Sequence, residues 1–146
     1  MFRSIYEICD EIRHRARARR WHETAAWGRR AEDLAHRFLQ AKGLTVVERN
    51  WVGPGLRAEV DLIAWDGPTL VFVEVKSRRN LDYSAPERAM DDEKKRHVTA
   101  AARYFLRRWR MPEQQARFDL VTVVFEPYRI EHQPDAWSFR ELDRVS

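Results

Sequence analysis

Four charged residues interrupt an apolar stretch in the middle of the chain, EVDLIAWDGPTLVFVEVK, which runs from Glu59 to Lys76. The stretch is typical of two strands joined by a tight turn. Because side chains alternate between the two faces of a strand, Glu59 and Asp61 share one face of the first strand, and Glu74 and Lys76 share one face of the second. Buried strands rarely carry such charges unless the charges are paired or bind a ligand.

The register of the hairpin decides whether the carboxylates of Asp61 and Glu74 meet. If Trp65 pairs with Leu70, Asp61 lies directly opposite Glu74. A two-residue loop at 66–67 would instead place the two carboxylates diagonally. Both registers leave them on one face of the sheet, where two negative charges about 5 Å apart repel each other unless a positive charge lies between them.

Two kinds of positive charge could stabilise this pair. One is the ammonium group of Lys76, in which case the residues form salt bridges on an exposed face of the sheet. The other is a divalent cation, Mg²⁺ or Mn²⁺, held by Asp61, Glu74 and the main-chain carbonyl of Val75. A cation so placed polarises a phosphate and lowers the pKa of a bound water, and Lys76 would orient that water or neutralise charge in the transition state. The second interpretation predicts metal-dependent hydrolysis of phosphodiesters.

The sequence before the hairpin predicts a helix and a strand. The helix is expected from about Thr24 to Lys42, with Thr24 as its N-cap and Gly43 at the C′ position. Glu32 lies beside the apolar stripe of this helix, which consists of Ala31, Leu34, Ala35 and Phe38. A strand from Leu44 to Trp51 follows. In the hairpin itself, the uncharged face of the first strand is expected to carry Val60, Leu62 and Ala64.

The sequence after the hairpin predicts a helix followed by two strands. The helix is expected from about Asp92 to Arg110, and the strands from Arg117 to Glu126 and from Tyr128 onward. The apolar side of the helix consists of Val98, Ala101, Ala102, Phe105, Leu106 and Trp109. This helix is long enough to cross the sheet, which makes the strands before and after it parallel. The expected fold class is therefore α/β, with a mixed central sheet flanked by helices.

Residues 1–23 are predicted to form a basic amphipathic helical extension, and residues 24–146 a single domain. The apolar stripe of the extension consists of Ile5, Ile8, Cys9 and Ile12. The sequence RHRARARR, from Arg13 to Arg20, follows it. Such a segment binds phosphates or an acidic partner, or it docks on the domain or on a second copy of the chain in a homodimer.

The composition limits the class of protein. A chain of 146 residues with a single cysteine has no intramolecular disulfide and no cysteine-based zinc cluster, which fits a cytoplasmic location. No apolar run approaches the roughly 20 residues of a membrane span, and charges at Arg3 and Glu7 argue against a signal peptide. The net charge of +4 permits a nucleic-acid partner such as DNA.

Several cations around the acidic pattern are candidates for contact with nucleic-acid phosphates. Arg78 and Arg79 directly follow the second strand of the hairpin. Lys94 is expected in the first turn of the helix after the hairpin, where a cation is unfavourable unless an anion faces it. Arg117 shares a strand face with Asp119, and this spacing equally predicts an ion pair between the two.

The pattern Asp61, then Glu74-Val75-Lys76, resembles the PD-(D/E)xK motif of restriction-endonuclease-like nucleases. Three longer stretches look like the YraN family of bacterial proteins, whose core is similar to that of archaeal Holliday-junction resolvases. They read WGRRAEDLAHRFLQAKGLTVVERNW, AEVDLIAWDGPTLVFVEVKSRR and RFDLVTVVF. The resemblance covers about Trp27 to Phe139.

The resemblance implies a restriction-endonuclease-like fold and a divalent-metal-dependent endonuclease that acts on DNA, with branched or damaged DNA among its candidate substrates. It implies that Asp61 and Glu74 are the metal-binding acids, that Glu32 is the first-helix acid of the same site, and that Lys76 is the catalytic lysine. The family has Gly in its GEID stretch where this chain has Ala58. The alternative is an inactive nucleic-acid-binding or protein-interaction module on the same fold.

Overall fold

The structure is a computed structural model that describes residues 25–56, 58–80 and 87–141. Helix α1 spans residues 25–41, and helix α2 spans Glu87–Arg108. The five strands are β1 Thr45–Val52, β2 Glu59–Asp66, β3 Thr69–Arg78, β4 Ala116–Phe125 and β5 Tyr128–Trp137. The predicted extension at 1–23 and the predicted N-cap Thr24 lie outside the described residues, so the structure does not test these two predictions.

The strands form one mixed sheet in the order β1-β2-β3-β4-β5. All neighbouring pairs are antiparallel except β3 and β4, which are parallel because the chain crosses over through α2 between them. This confirms the α/β class, the mixed sheet and the crossover that the sequence predicts. Among the described helices, neither is long and apolar enough to cross a lipid bilayer.

In the described part of the chain, α1 covers one face of the sheet and α2 covers the other. On one face α1 buries Ala31, Ala35 and Leu39 against the valines of β3 and β4. On the other face α2 buries its apolar side against Phe72 and Phe118. Both phenylalanines are fully buried at the centre of the sheet, and each contributes roughly 2 to 3 kcal/mol by its burial.

The end of α1 has the predicted termination signal. Gly43 has a φ of 96°, a left-handed conformation that favours glycine. Its main-chain N donates to the Gln40 carbonyl at 3.0 Å, and the Leu44 N donates to the Leu39 carbonyl at 3.0 Å. These two bonds form a Schellman motif, which ends the helix and directs the chain into β1. Leu39, which the predicted stripe omits, is fully buried in the α1 core.

Helix α2 differs from the prediction at both ends. It begins at Glu87, five residues before the expected Asp92, so Lys94 lies inside the helix rather than in its first turn. The argument that Lys94 opposes the helix dipole is therefore wrong. Trp109 follows the last helical residue and is 62% exposed, so its assignment to the apolar side of the helix is also wrong.

Strand β2 does not keep a single alternation of faces. Leu62 and Ala64 pack against α1, but Val60 packs with Ile63 in the core beneath α2. The prediction that Val60 shares a face with Leu62 and Ala64 is therefore wrong. The alternation changes between Leu62 and Val60, where the regular pairing of β2 with β3 ends and where Asn50 of the neighbouring strand has a φ of 51°.

Candidate functional site

Asp61 lies where β2 separates from β3. Trp65 pairs with Leu70, which is the register that brings Asp61 opposite Glu74. Beyond this point a side chain takes the place of a main-chain acceptor between the two strands. Asp61 Oδ2 accepts a hydrogen bond from the Val75 main-chain N at 2.8 Å. Only 8% of Asp61 is exposed. A carboxylate is thus fixed against the backbone of β3 with little water around it.

Glu74 brings a second buried carboxylate, with 5% of the residue exposed. Val73 and Val75 pack toward α1, so strand alternation turns Glu74 toward α2. Burial raises the pKa of Glu74, the nearby charge of Lys94 lowers it, and the charge of Asp61 raises it. The charge of Lys76, on the same strand, also lowers the pKa of Glu74, but burial outweighs both lysines. Such a buried anion needs a positive partner.

Helix α1 adds a third acid. Carboxylate oxygens of Glu32, Glu59 and Asp61 lie within 4.8 Å of one another, and these three residues are called the acid group below. Ala31 and Ala35 are 1% and 0% exposed, and their small side chains allow α1 to approach the sheet closely enough for Glu32 to reach the end of β2. The spacing of these three oxygens suits the ligands of a single cation.

The residues at the end of β1 orient Glu32. Arg49 has one guanidinium nitrogen 2.7 Å from Asp33 Oδ1 and 3.8 Å from Glu32 Oε2. Asn50, whose φ of 51° lies in the left-handed region that asparagine tolerates, hydrogen-bonds the Glu32 side chain and lowers its pKa. Burial is the larger influence, and the pKa of Glu32 is raised overall. Arg49 and Asn50 therefore orient the Glu32 side chain, and burial disfavours the ionised form of its carboxyl group.

The electrostatics of Asp61 follow from the same crowding. Burial raises the pKa of Asp61 from 3.8 to about 6. The hydrogen bond from Val75 and the charge of Lys94 oppose this rise, whereas the charges of Glu32 and Glu59 add to it. A divalent cation among these oxygens would reverse the balance, because it favours the ionised form of every acid around it.

Lys76 and Val75 complete the strand segment. Lys76 follows Glu74 by two residues and so lies on the same face of β3, and its charge lowers the pKa of Glu74. The Val75 side chain packs in the α1 core, and its main-chain carbonyl lies between the two charged residues along the strand. Glu32 and Asp61 lie in one acid group with Glu59, and Glu74 is not a member of that group. The charge of Asp61 raises the pKa of Glu74, which relates the two carboxylates without placing them at ligand distance from one cation.

Glu59 is absent from the predicted metal ligands, although the structure places it in the acid group. The sequence carries a weak signal for it, since Glu59 precedes Asp61 by two residues in the same strand. Strand alternation places both side chains on one face of β2, as found, but it does not show which carboxylates lie close enough to share a cation.

The four predicted phosphate contacts lie in different surroundings. Arg78 ends β3 and is half-buried, whereas Arg79 is exposed and lies over the Trp27 ring. Lys94 faces the acids from α2, since its charge lowers the pKa of both Asp61 and Glu74. Arg117 does not join this group. It pairs with Asp66 at 2.8 Å and with Asp119 at 2.9 Å, and hydrogen bonding to Asp119 raises the pKa of Arg117.

A second polar cluster surrounds Asp119, which is fully buried in β4. Its carboxylate accepts hydrogen bonds from Arg117 Nε at 2.9 Å and from the Asp135 main-chain N at 3.0 Å, and it lies 2.8 Å from His132 Nε2. His132 Nδ1 lies 3.0 Å from Lys42 Nζ. An ammonium group only donates, so Nδ1 accepts and Nε2 carries the proton that reaches Asp119. The cluster ties the end of α1 to β4 and β5 and contains none of the predicted metal ligands.

Comparison with known proteins gives one consistent family. The model of the family described as "Uncharacterised protein family UPF0102" matches residues 31–123. A UPF0102 protein of Solibacter usitatus is 45% identical over 122 residues, which cover 84% of this chain and 88% of the relative. A UPF0102 protein of Geobacter sulfurreducens is 39% identical over 119 residues, which cover 80% and 91%. One of Koribacter versatilis is 41% identical over 99 residues, which cover 68% of each chain.

The chain therefore belongs to the UPF0102 family, which confirms the YraN family membership that its motifs indicate. The matched segment begins one residue before Glu32 and ends before the β4–β5 turn. It contains all of the predicted metal ligands together with Lys76.

Proposed function

We propose that this UPF0102 protein is a divalent-metal-dependent endonuclease that hydrolyses phosphodiester bonds in DNA. One observation carries the proposal: Asp61 and Glu74, from adjacent strands, are both more than nine-tenths buried, and each has a raised pKa. Burial of two ionised carboxylates lowers the stability of the folded protein. A cation that binds between them would offset this loss, which explains why the protein keeps both acids.

The donor set fits Mg²⁺ or Mn²⁺. Glu32, Asp61 and Glu74 offer carboxylate oxygens, and the Val75 carbonyl offers a fourth oxygen at the end of the sheet. Hard divalent cations prefer oxygen ligands, and Mg²⁺ is usually held by a few carboxylates together with water. Glu59 is a further oxygen donor within 4.8 Å of Glu32 and Asp61.

Each residue of the proposed site would have a separate role in the reaction. Asp61 is fixed by its bond to the Val75 N, so its free lone pairs have a defined direction. Lys76 lies beside Glu74 on the same strand face, where an ammonium group orients a water or stabilises negative charge on the phosphate in the transition state. When bound, the cation would polarise the phosphate and acidify a water. Lys94 adds positive charge from α2 opposite the acids.

The proposal for a nucleic-acid substrate rests on charge and resemblance. The chain carries a net charge of +4. Lys94 acts on both buried acids and Arg79 lies exposed just beyond β3, and cations of this kind contact phosphate groups. The order Asp61, Glu74, Val75, Lys76 resembles the motif of restriction-endonuclease-like nucleases. Small acidic substrates would lack the extended phosphate backbone that such a spread of cations contacts.

Cleavage of plasmid and branched DNA with Mg²⁺ or Mn²⁺ tests the proposal. We expect the wild-type chain to cut, Asp61→Asn and Lys76→Ala to lose activity by about 100-fold or more, and Glu48→Gln to cut normally. Glu48 is an exposed acid of β1, so it is a matched control for the removal of one negative charge. Cleavage that persists in Asp61→Asn and Lys76→Ala would place the activity elsewhere.

A non-catalytic binding module is the rival function, and Lys94 is the observation that favours it. Its charge acts on both Asp61 and Glu74, so part of the acid charge is already offset without a cation. That module would bind DNA with unchanged affinity in the presence of EDTA and would cut no substrate with either metal. The same assay, run beside a binding measurement, separates the two functions.

A further inference from the structure

A cavity of about 600 Å³ opens at the same end of the sheet as the acids. Its described lining comes from the start of α1, the residues after β3 and the turn after β4, namely Trp27, Arg79, Asn80, Phe125 and Glu126. The volume lies within the range of pockets that hold small organic molecules, roughly 300 to 1,000 Å³. No residue of this lining belongs to the acid group.

The walls of the cavity are aromatic. The Trp27 and Phe125 rings meet edge to face, with centroids 4.5 Å apart and planes inclined by 61°. The guanidinium carbon of Arg79 lies 5.3 Å from the centroid of Trp27. Planar bases bind such sites by stacking on tryptophan, phenylalanine and arginine.

The polar groups of the cavity suit a base rather than a phosphate. Glu126 offers a carboxylate that accepts a hydrogen bond from the amino group of a nucleobase, and Asn80 is a second polar residue of the lining. Among the described lining residues, the charges of one cation, Arg79, and one anion, Glu126, balance. In the part of the chain that the structure describes, Arg79 forms no ion pair with a carboxylate, so its charge can reach a phosphate at the mouth of the cavity.

The position of the cavity relates it to the acids. Arg79 follows Lys76 by three residues and Glu74 by five, and an extended chain advances about 3.3 Å per residue. Along the extended chain, Arg79 is therefore about 16 Å from Glu74 and about 10 Å from Lys76. This separation corresponds to a few nucleotides of an extended strand, so one strand can occupy both places.

We propose that this cavity binds one unpaired nucleobase of the DNA strand whose phosphate lies at the acids. The inference rests on the proposed nuclease function and narrows its substrate to DNA in which a duplex meets a single-stranded segment. A paired base has both faces covered by its neighbours in the helix, so only a base outside the stack can enter an aromatic cavity.

Binding in EDTA tests this proposal without requiring cleavage. The probe is a duplex with a short single-stranded tail that carries 2-aminopurine, compared with a blunt duplex of equal length. We expect the tailed DNA to bind about 10-fold or more tightly, and the 2-aminopurine fluorescence to be quenched as the base stacks. Trp27→Leu and Arg79→Ala should each reduce the preference about 10-fold, and Trp27→Phe should retain most of it.

Matched controls come from the far end of α2. Trp109→Ala removes an exposed tryptophan and Arg108→Ala an exposed arginine, and both variants should keep the preference for tailed DNA. Equal affinity for the two DNAs would overturn the proposal, as would equal losses in Arg79→Ala and Arg108→Ala. Circular dichroism of Trp27→Leu checks that it folds, and Arg79→Ala tests the cavity through an exposed side chain.

The two proposals fail in different ways. Preferential binding of the tail without any cleavage would retain the base cavity and reject the nuclease. Cleavage of blunt and tailed DNA at equal rates, with equal binding, would retain the nuclease and reject the cavity.

Discussion

Replacing Asp61 with Asn should stabilise the metal-free protein at neutral pH. Burial raises the pKa of Asp61 from 3.8 to about 6, so the folded chain holds this proton more tightly than the unfolded chain does. The resulting stabilisation is fully present below pH 3.8 and is lost as the pH rises through about 6. Each pH unit between the two values corresponds to about 1.4 kcal/mol, so ionised Asp61 costs the folded state up to about 3 kcal/mol.

Asparagine is the informative substitution because it removes only the charge. Its side-chain oxygen can still accept the hydrogen bond from the Val75 main-chain N, and its volume matches that of aspartate. The other raised acids, Glu32 and Glu74, remain and keep part of the pH dependence. The difference between wild-type and Asp61→Asn therefore isolates the contribution of Asp61.

Urea unfolding in EDTA, followed by far-UV circular dichroism from about pH 4 to pH 8, measures this contribution. We expect Asp61→Asn to be more stable than wild-type by about 2 to 3 kcal/mol at pH 7.5, with the difference vanishing near pH 4. Glu48→Gln, which removes an exposed acid of β1, should change stability by less than about 0.5 kcal/mol at either pH. A difference that does not vary with pH, or an Asp61→Asn variant that is less stable at pH 7.5, would refute the reasoning from burial.

Two other substitutions test the surrounding charges. Lys94→Met removes the cation that lowers the pKa of both Asp61 and Glu74, so the metal-free protein should lose about 1 kcal/mol more stability above pH 6 than below pH 4 in the same urea series. A loss that is equal at the two pH values would contradict it. Asp119→Ala leaves Arg117 and His132 without their buried acceptor, so unfolding at pH 7.5 should show a loss of about 3 to 5 kcal/mol, and a loss below about 1 kcal/mol would contradict that role.

Periodicity and turn chemistry predict most of the fold. The helix before the sheet ends at Gly43 because glycine tolerates the left-handed conformation there. The sequence leaves two hairpin registers open, and the structure has the one in which Trp65 pairs with Leu70. The start of α2 is missed because residues from Glu87 onward carry little apolar periodicity. Trp109 is misplaced because a helical pattern does not reveal that the helix ends one residue earlier.

The site is only partly predictable because two of its determinants are tertiary. Strand alternation places Glu59 on the face of Asp61, but it does not show which carboxylates lie close enough to share a cation. The approach of Glu32 depends on how closely α1 packs on the sheet. His132 reaches Asp119 through the pairing of β4 with β5, whose register shifts between Phe118 and Leu120.

Binding of Mn²⁺ to the metal-free protein, measured by calorimetry, tests the central claim that these acids form a cation site. We expect Mn²⁺ to bind the wild-type chain at a site whose affinity increases as the pH rises through about 6, because Asp61 must ionise. Asp61→Asn and Glu74→Gln should each weaken binding by about tenfold or more, and Glu48→Gln should bind as wild-type does. Equal Mn²⁺ affinity in all four proteins, or no binding to the wild-type chain at millimolar Mn²⁺, would contradict the account.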